Sequence, residues 1–344
     1  MSFTRRQTLG TGAGLLGSTL LPRLARAQEW PTRPITVAMA APAGGATDLG
    51  TRAVTELMRE PLGVRAIAFQ DMSGAGGVQA MDYIMAQPAD GNFWLGANDV
   101  MEAFPSLGRI DYDWRDFDFW MSGGTSCAIV VPGNSPYETF DQWVNAVMEK
   151  PGEVAIASTP SGSLWSNAAV YLQQKMGLDF RLANYAGGGP TVRAVLAGET
   201  SCASVGVTPT VNFLKSGELR ALAAWTPQTW EVAGVAIPSI LKYVDDPILE
   251  RTLPWTNIHG IALKKGVDEA ILEKIDAAFN TAVNDPSMDE MYDSKAFFPF
   301  RAPRQVANDL MGERTALQAY IIEVILGTAV KTRDELGIAK IEDA

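Results

Sequence analysis

Histidine and cysteine are almost absent from the 344-residue chain, which has one histidine, His259, and two cysteines, Cys127 and Cys202. A zinc site usually needs three or four such ligands, so the sequence predicts no metal centre. Basic residues are also in the minority, because 28 Lys and Arg against 39 Asp and Glu give a net charge of −11. Phosphate binding needs a basic face, so this charge excludes a general nucleic-acid binder.

Long hydrophobic runs are missing too. No stretch of 18 or more apolar residues occurs, so the sequence contains no candidate transmembrane helix. The Gly-Lys-Ser/Thr end of a phosphate loop is absent after Pro42–Ala46, and the glycine-rich run at 73–77 follows the second predicted strand, not the first. We therefore expect no cofactor.

The first 27 residues have the pattern of a bacterial export signal. Arg5 and Arg6 precede an apolar, glycine-rich run from Leu9 to Leu21, and Ala25-Arg26-Ala27 offers a small-x-small cleavage site. The paired arginines favour the twin-arginine route, with an ordinary Sec signal as the alternative. Cleavage removes four arginines and no acidic residue, which leaves 24 basic and 39 acidic residues and a net charge of −15. The sequence predicts a soluble, acidic periplasmic protein.

Export leaves two interpretations of the cysteines. In an oxidising compartment Cys127 and Cys202 could form a disulfide. Each also opens an apolar run and could be an inert thiol buried in a sheet. A catalytic thiol is disfavoured, because the single histidine offers little chance of a basic partner.

Strand and helix patterns alternate along the rest of the chain. Strands are predicted at Ile35–Ala41, Val64–Gln70 and Phe93–Ala97, with helices at Thr47–Glu60 and Val78–Gln87 between them. This βαβαβ order predicts a parallel sheet with right-handed crossovers. An irregular connection is predicted over residues 99–119.

A second α/β run follows between residues 127 and 225. An amphipathic helix over Val267–Val283 and further helices near the C-terminus are predicted to return to the first unit. The expected organisation is therefore one lobe formed by residues 28–125 and 256–344 and a second lobe formed by residues 126–255. Hinge motion is expected around Ser122–Cys127 and Trp255–Gly260.

Four loops rich in Gly, Ser or Thr follow predicted strands and precede helices. They are residues 42–48, 71–77, 158–164 and 186–190, and none contains Lys or Arg. Backbone N–H groups at helix N-termini can bind an anion without a basic side chain, so the loops together predict a carboxylate site. Each loop alone is equally typical of ordinary turns and helix caps.

Short motifs follow one another in a fixed order, and together they identify a family. With them the chain resembles the periplasmic substrate-binding proteins of tripartite tricarboxylate transporters, the TctC or Bug family. The motifs are Trp30-Pro31-Thr32-Arg33-Pro34-Ile35, Pro42-Ala43-Gly44-Gly45-Ala46-Thr47-Asp48, Gly74-Ala75-Gly76-Gly77, Pro88-Ala89-Asp90-Gly91, Tyr185-Ala186-Gly187-Gly188-Gly189-Pro190 and Gly217-Glu218-Leu219-Arg220-Ala221-Leu222-Ala223.

The resemblance implies an α/β, type II periplasmic-binding-protein fold, in which two lobes enclose a ligand cleft. It implies ligand-binding residues in three groups. From the first lobe come Ala43, Gly44, Gly45, Thr47, Asp48, Gly76 and Gly77. From the second-lobe loop come Ser158, Thr159, Ser161, Gly162 and Ser163, and further along the chain Trp165, Gly188 and Thr208 complete the set.

Two positions depart from the family pattern. Ser166 stands where a histidine is common, and Thr208 follows a strand after which many members have an aspartate. The far side of the pocket is therefore expected to differ from that of other members. Trp165 is predicted either to stack on a flat part of the ligand or to pack in the lobe core.

The function implied is that of a receptor, not an enzyme. It would capture a small carboxylate, deliver it to membrane subunits of a tripartite tricarboxylate transporter and act as a monomer. A sensor without a transport role and a periplasmic hydrolase are the alternatives. A hydrolase would need His259 as its base, but that residue lies in an apolar strand, and no Gly-x-Ser-x-Gly elbow is present.

Overall fold

The computed structural model describes residues 30, 31 and 33–341, so the predicted export signal at 1–27 lies outside the described residues. In this part of the chain, no helix is both long and apolar enough to cross a bilayer. The strands are β1 (Ile35–Met39), β2 (Ile67–Asp71), β3 (Phe93–Gly96), β4 (Phe117–Gly124), β5 (Cys127–Pro132), β6 (Ala155–Ser158), β7 (Arg181–Asn184), β8 (Cys202–Gly206), β9 (Leu219–Ala224), β10 (Trp230–Val232), β11 (Val235–Ile237), β12 (His259–Lys264) and β13 (Phe298–Ala302). The α-helices are α1 (Ala46–Leu62), α2 (Val78–Ala86), α3 (Val100–Ala103), α4 (Phe140–Glu149), α5 (Leu164–Met176), α6 (Gly188–Leu196), α7 (Val211–Ser216), α8 (Pro247–Thr252), α9 (Glu269–Val283), α10 (Pro286–Lys295), α11 (Arg304–Tyr320) and α12 (Arg333–Leu336).

The first sheet has six strands in the order β13-β4-β12-β3-β1-β2. β1 pairs in parallel with both β2 and β3, as the βαβαβ pattern predicts. The other half of the sheet is antiparallel, because β12 runs against β3 and β4, and β13 runs against β4. The predicted parallel arrangement is therefore confirmed for β1, β2 and β3 and does not extend to this half of the sheet.

The strand β4 also overlaps the connection predicted to be irregular, and α3 lies inside it. All eight residues of β4 are buried, so the strand lacks the polar–apolar alternation that would mark it. Its polar residue Asp118 is buried beside the amine of Lys265, which offsets its charge. A strand buried on both faces is hard to distinguish from a loop when it also contains polar residues and glycine.

The second sheet has five strands in the order β7-β6-β8-β5-β9. β6 is parallel to β7 and β8, whereas β5 is antiparallel to β8 and β9. Large side chains including Trp143, Tyr171 and Trp225 fill the core on one face of this sheet.

The C-terminal segment contacts both sheets. Phe279 of α9 and Met288 of α10 belong to the core of the first sheet. Tyr320, at the end of α11, and Ile321 pack in the core of the second sheet. The prediction that the C-terminal helices pack on the first unit is therefore confirmed for α9 and α10, whereas the end of α11 packs on the second sheet. The lobe boundaries themselves stay a prediction.

Two chain segments cross side by side between the sheets. The N–H of Thr125 donates to Oδ1 of Asn257 at 2.8 Å, and the N–H of Asn257 donates to the carbonyl of Thr125 at 3.1 Å. A Cβ added to Gly124 would lie 2.1 Å from the carbonyl oxygen of Asn257, so glycine is required for this close approach. The paired segments coincide with the two regions where hinge motion is expected.

The structure contains free, buried thiols at Cys127 and Cys202. In the β5–β8 register Cys127 lies opposite Gly206, four positions along the strand from Cys202. That offset corresponds to roughly 13 Å along the strands, whereas a disulfide needs Cα atoms within about 7 Å. Burial raises the pKa of both thiols, that of Cys202 to about 12, so neither is a reactive thiolate at neutral pH.

Candidate functional site

Loops that follow the parallel strands of both sheets meet at one cleft. They follow β1, β2 and β3 in the first sheet and β6, β7 and β8 in the second. Ligands of open α/β sheets bind at such carboxyl ends. The cleft encloses a cavity of about 90 Å³. Its lining consists of Ala40, Ala41, Pro42, Gly45, Ala46, Thr47, Ser73, Gly76, Asn98, Asp99, Val100, Thr159, Pro160, Ser163, Trp165, Ala186, Gly187, Gly188, Gly206, Pro209 and Asn257.

The loop after β1 presents the N-terminus of α1 to the cleft. Its N-cap residue is Gly45, which has no side chain to cap the helix. Asp48 is folded back onto its own loop, because its carboxylate accepts the N–H of Gly44 at 2.9 Å and Nε of Arg52 at 2.6 Å. The charge of Asp48 is thereby paired within its own loop, and Asp48 lies outside the cavity lining, whereas Gly45, Ala46 and Thr47 at the start of α1 belong to it.

The loop after β6 is held by its hydroxyl groups. Oγ of Ser158 donates to the carbonyl of Ser204 at 3.0 Å, and the hydroxyls of Thr159 and Ser163 are 2.6 Å apart. Ser163 is the N-cap residue of α5 but does not cap the helix with its side chain. The first N–H of α5, from Leu164, instead donates to Oδ2 of Asp99 across the cleft at 3.0 Å.

The loop after β7 starts α6 in the same way. Gly187 is its N-cap, again without a side-chain cap. By contrast, α4, α9 and α10 begin away from the cleft lining, and each has a side-chain cap from Thr139, Asp268 or Asp285. The long helix α11 also lacks a side-chain cap, although it begins outside the cleft lining. At the cleft itself lie the N-termini of α1 and α6, both without a side-chain cap, and their N–H groups and dipoles favour a negative charge there.

Seven of the residues predicted from the sequence line the cavity. They are Gly45, Thr47, Gly76, Thr159, Ser163, Trp165 and Gly188. The other predicted residues lie in or next to the same loops but outside the lining: Ala43, Gly44, Asp48, Gly77, Ser158, Ser161, Gly162 and Thr208. Ligand contact itself stays a prediction for all fifteen.

Several of these outer residues have other partners. The carbonyl of Ser161 accepts a hydrogen bond from Arg109 at 3.0 Å, and a Cβ on Gly162 would lie 2.6 Å from Leu107. Both therefore close the loop against the opposite side of the cleft. Trp165 packs in the core of the second sheet, as one of its two predicted roles requires, and it also lines the cavity, whereas stacking on a ligand stays a prediction.

The sequence analysis missed three polar residues of the lining: Asn98, Asp99 and Asn257. Asn98 donates from Nδ2 to the carbonyl of Ala40 at 3.2 Å and so ties the loop after β3 to that after β1. The signal that could have found the first two was the position of Asn98-Asp99 directly after strand β3, at the same sheet edge as the first loop. Asn257 lies far along the chain and only the fold places it here.

The lining is almost free of charge. Among its described residues Asp99 is the one charged side chain, and burial raises the pKa of its carboxyl group. Behind it Glu102 is 1% exposed and accepts Nε of Arg314 at 2.7 Å. Burial raises the pKa of Glu102 to about 7, although the Arg314 charge opposes this shift.

A second, larger cavity of about 700 Å³ lies behind the paired connections. It is lined by Phe300, Leu310 and Leu317 among others, and by cationic side chains that already have partners. Arg314 binds Glu102, Arg251 binds the carbonyl of Ile341, and Lys340 binds Asp334. Uncapped helix N-termini do not converge there among the described lining, so the smaller cleft is the better candidate for an anion.

His259 is unsuited to the role of a base. It is fully buried against Phe297, with ring centroids 4.2 Å apart, and neither ring nitrogen has a hydrogen-bond partner among the described residues. Burial lowers its pKa to about 3, so it stays neutral. His259 is therefore a neutral core residue, in agreement with its place in an apolar strand. In the described part of the chain, no group of three or more His, Cys, Asp and Glu could hold a metal ion.

This imidazole makes stability depend on pH. With a folded-state pKa near 3 and an unfolded-state value near 6.5, the unfolded chain binds the proton first as the pH falls. The free energy of unfolding of the unmodified protein should therefore fall by about 2 kcal/mol between pH 7.5 and pH 5, and we expect His259→Leu to abolish this loss. Urea unfolding of both proteins at the two pH values measures the difference, and the opposing contribution of Glu102 cancels in this comparison. Identical pH dependence of the two proteins would contradict the prediction.

Comparisons with known proteins agree with this architecture. The sequence profile of the TctC family, described as "Tripartite tricarboxylate transporter family receptor", matches residues 51–326. The chain is 26% identical over 343 residues to the UPF0065 protein in the gbd 5′ region of Cupriavidus necator, and the match covers 98% of both chains.

Two solved structures share the fold. Rpa4515 of R. palustris, with adipate, gives a TM-score of 0.77 at 19% identity and covers 87% of this chain and 99% of its own. MatC of Rhodopseudomonas palustris, with bound malate, gives 0.74 at 20% identity and covers 85% of this chain and 100% of its own. The predicted α/β, two-lobe periplasmic-binding-protein fold is confirmed.

Proposed function

Because the chain belongs to the tripartite tricarboxylate transporter receptor family, TctC, we propose that its cleft captures a small organic carboxylate. The two lobes close on the ligand, and the closed protein delivers it to membrane subunits of a transporter of that type. The receptor acts in the periplasm as a monomer after removal of residues 1–27. Residues 28–125 with 256–344 and residues 126–255 form the lobes.

The observation that carries this proposal is the convergence of α1 and α6 on a cavity without a basic side chain in its described lining. Their N-cap residues are glycines, so no N-cap side chain occupies the first backbone N–H groups of these helices. A carboxylate bound there is held by amide dipoles and by hydroxyls such as that of Ser163. Such a site holds an anion without a salt bridge, which suits release to a partner.

The size of the cavity favours a small ligand, since about 90 Å³ is enclosed. The same chemistry is found in relatives, because two proteins of this fold carry adipate and malate. The net charge of −15 that remains after removal of residues 1–27 repels anions at a distance, so capture rests on the local dipoles. A hydrolase is disfavoured by the buried, neutral His259, whose nitrogens face no reactive group. A sensor without a transport role would use the same cleft. Measuring uptake of the acid after deletion of the gene distinguishes the two roles, because uptake is lost only if the protein serves transport.

A thermal-shift screen tests the proposal. The full chain, exported and processed by its host, is unfolded and refolded to remove any bound ligand. It is then heated with organic acids, aromatic acids, amino acids and sugars. A ligand at about 100 times its Kd adds about 2.7 kcal/mol of stability, which raises the midpoint by several degrees. We expect shifts only with compounds that carry a carboxylate. A shift with sugars alone, or none with any acid, would contradict the proposal.

A further inference from the structure

We propose that Asp99 makes the cleft selective for carboxylates that also carry a protonated amine, of which an amino acid is the simplest. This inference rests on the proposed function, because it concerns the same cleft and adds a second determinant to it. Asp99 lies directly after β3 and begins α3, so the fixed end of a sheet strand positions it at the cavity.

The geometry leaves Asp99 able to accept further hydrogen bonds. Asp99 belongs to the cavity lining, the residue is 9% exposed, and Oδ2 accepts the N–H of Leu164 from the loop on the other side of the cleft at 3.0 Å. A carboxylate can accept about four hydrogen bonds over its two oxygens. The contact with Leu164 orients the group across the cleft and leaves capacity for a donor on the ligand.

The charge balance around Asp99 is incomplete. The nearby cation is Arg314, but its guanidinium already binds the carboxylate of Glu102 at 2.7 Å, and it also donates to the carbonyl of Thr256. When Asp99 and Glu102 are both ionised, the two carboxylates and the guanidinium of Arg314 together carry one negative charge in excess. Burial raises the pKa of the Asp99 carboxyl group, although the N–H of Leu164 and the charge of Arg314 oppose this shift.

A ligand without a cationic group meets this excess charge unfavourably. A second carboxylate close to Asp99 in a small cavity repels it, unless one of the two binds a proton. A protonated amine has the opposite effect, because it neutralises Asp99 and donates hydrogen bonds to it. The cleft thus has an anion side at the N-termini of α1 and α6 and a cation side at Asp99.

Calorimetric titration with matched ligand pairs tests the inference. The pairs are aspartate against succinate and glutamate against glutarate, with both enantiomers of each amino acid, at pH 7.5. We expect the more tightly bound enantiomer of each amino acid to bind at least tenfold more tightly than the diacid of its pair. Asp99→Asn is expected to reduce this ratio of affinities to near one. The asparagine keeps an acceptor for the N–H of Leu164. Asp111→Asn removes the same charge from a fully exposed position and is expected to leave the ratio unchanged.

Three results would overturn the inference. The first is equal or tighter binding of the plain diacids by the unmodified protein. The second is a ratio that Asp99→Asn leaves unchanged while thermal melting shows that the variant is folded. The third is an affinity for the diacids that increases as the pH falls, with one proton taken up on binding. In that case Asp99 would bind the diacid as a protonated hydrogen-bond donor. Binding of no acid at all would instead refute the carboxylate receptor, and this inference with it.

Discussion

Replacing Gly187 with leucine is expected to abolish tight ligand binding without unfolding the protein. A Cβ at this position would lie 3.2 Å from the ring of Pro42 on the opposite side of the cleft. Gly187 has φ 166 and ψ −179, an extended conformation that leucine adopts without strain. The added side chain therefore meets Pro42 before the cleft can close, and ligand contacts from one side are lost.

We expect Gly187→Leu to weaken binding by about two orders of magnitude, or roughly 2.7 kcal/mol, as measured by calorimetry. Small-angle scattering should also show that ligand no longer compacts the variant. Gly189→Leu is the matched control, because a Cβ there meets only the flexible end of Arg193 at 3.5 Å. Equal affinities of the two variants would show that closure against Pro42 plays no part in binding.

Replacing Arg314 with methionine is expected to cause the largest loss of stability. Arg314 compensates Glu102, which is 1% exposed, and it also binds the carbonyl and hydroxyl of Thr256 in the second connection between the sheets. Without Arg314 a carboxylate remains buried and unpaired, which costs about 3 kcal/mol or more. Urea unfolding at pH 8 measures this loss.

The pH dependence of the loss identifies its cause. The pKa of Glu102 is raised in the folded protein, so its protonated form is favoured there, and the resulting stability is lost as the pH rises through about 7. We therefore expect Arg314→Met to be most harmful at pH 8 and much less so at pH 5. The double variant with Glu102→Gln should recover most of the stability at pH 8. A loss that is independent of pH, or not relieved by the second change, would show that Arg314 acts through Thr256 alone.

Local patterns were enough to predict the elements that shape the cleft. The helix predicted at Thr47–Glu60 is α1, at Ala46–Leu62, and the strand predicted at Phe93–Ala97 is β3. The helix has apolar residues at helical spacing and the strand is a short continuous apolar run, so both signals are local. The antiparallel half of the first sheet was missed because its pairing joins β4 to β12 across more than 130 residues, and no local pattern encodes such a contact.

The loops that form the candidate site were predictable from the sequence, but the position and pairing of its charged side chains were not. Glycine-rich loops after strands indicated where helix N-termini would meet, and motif order identified the family. Asp48 illustrates the limit, because the sequence places it in the first loop but cannot show that Gly44 and Arg52 occupy its carboxylate. Asp99 illustrates the converse, since its position after β3 places it at the edge of the first sheet, but only the fold brings it to the N-terminus of α5.

The structure of the protein with the acid that gives the largest thermal shift is the most direct test of the central claim. We expect the acid in the cleft, with a carboxylate oxygen within hydrogen-bond distance of backbone N–H groups that follow Gly45 or Gly187. We also expect contacts from both sheets. An acid bound in the larger cavity beside Phe300 and Leu317, or held by basic side chains at the surface, would contradict the claim that uncapped helix N-termini form the receptor site.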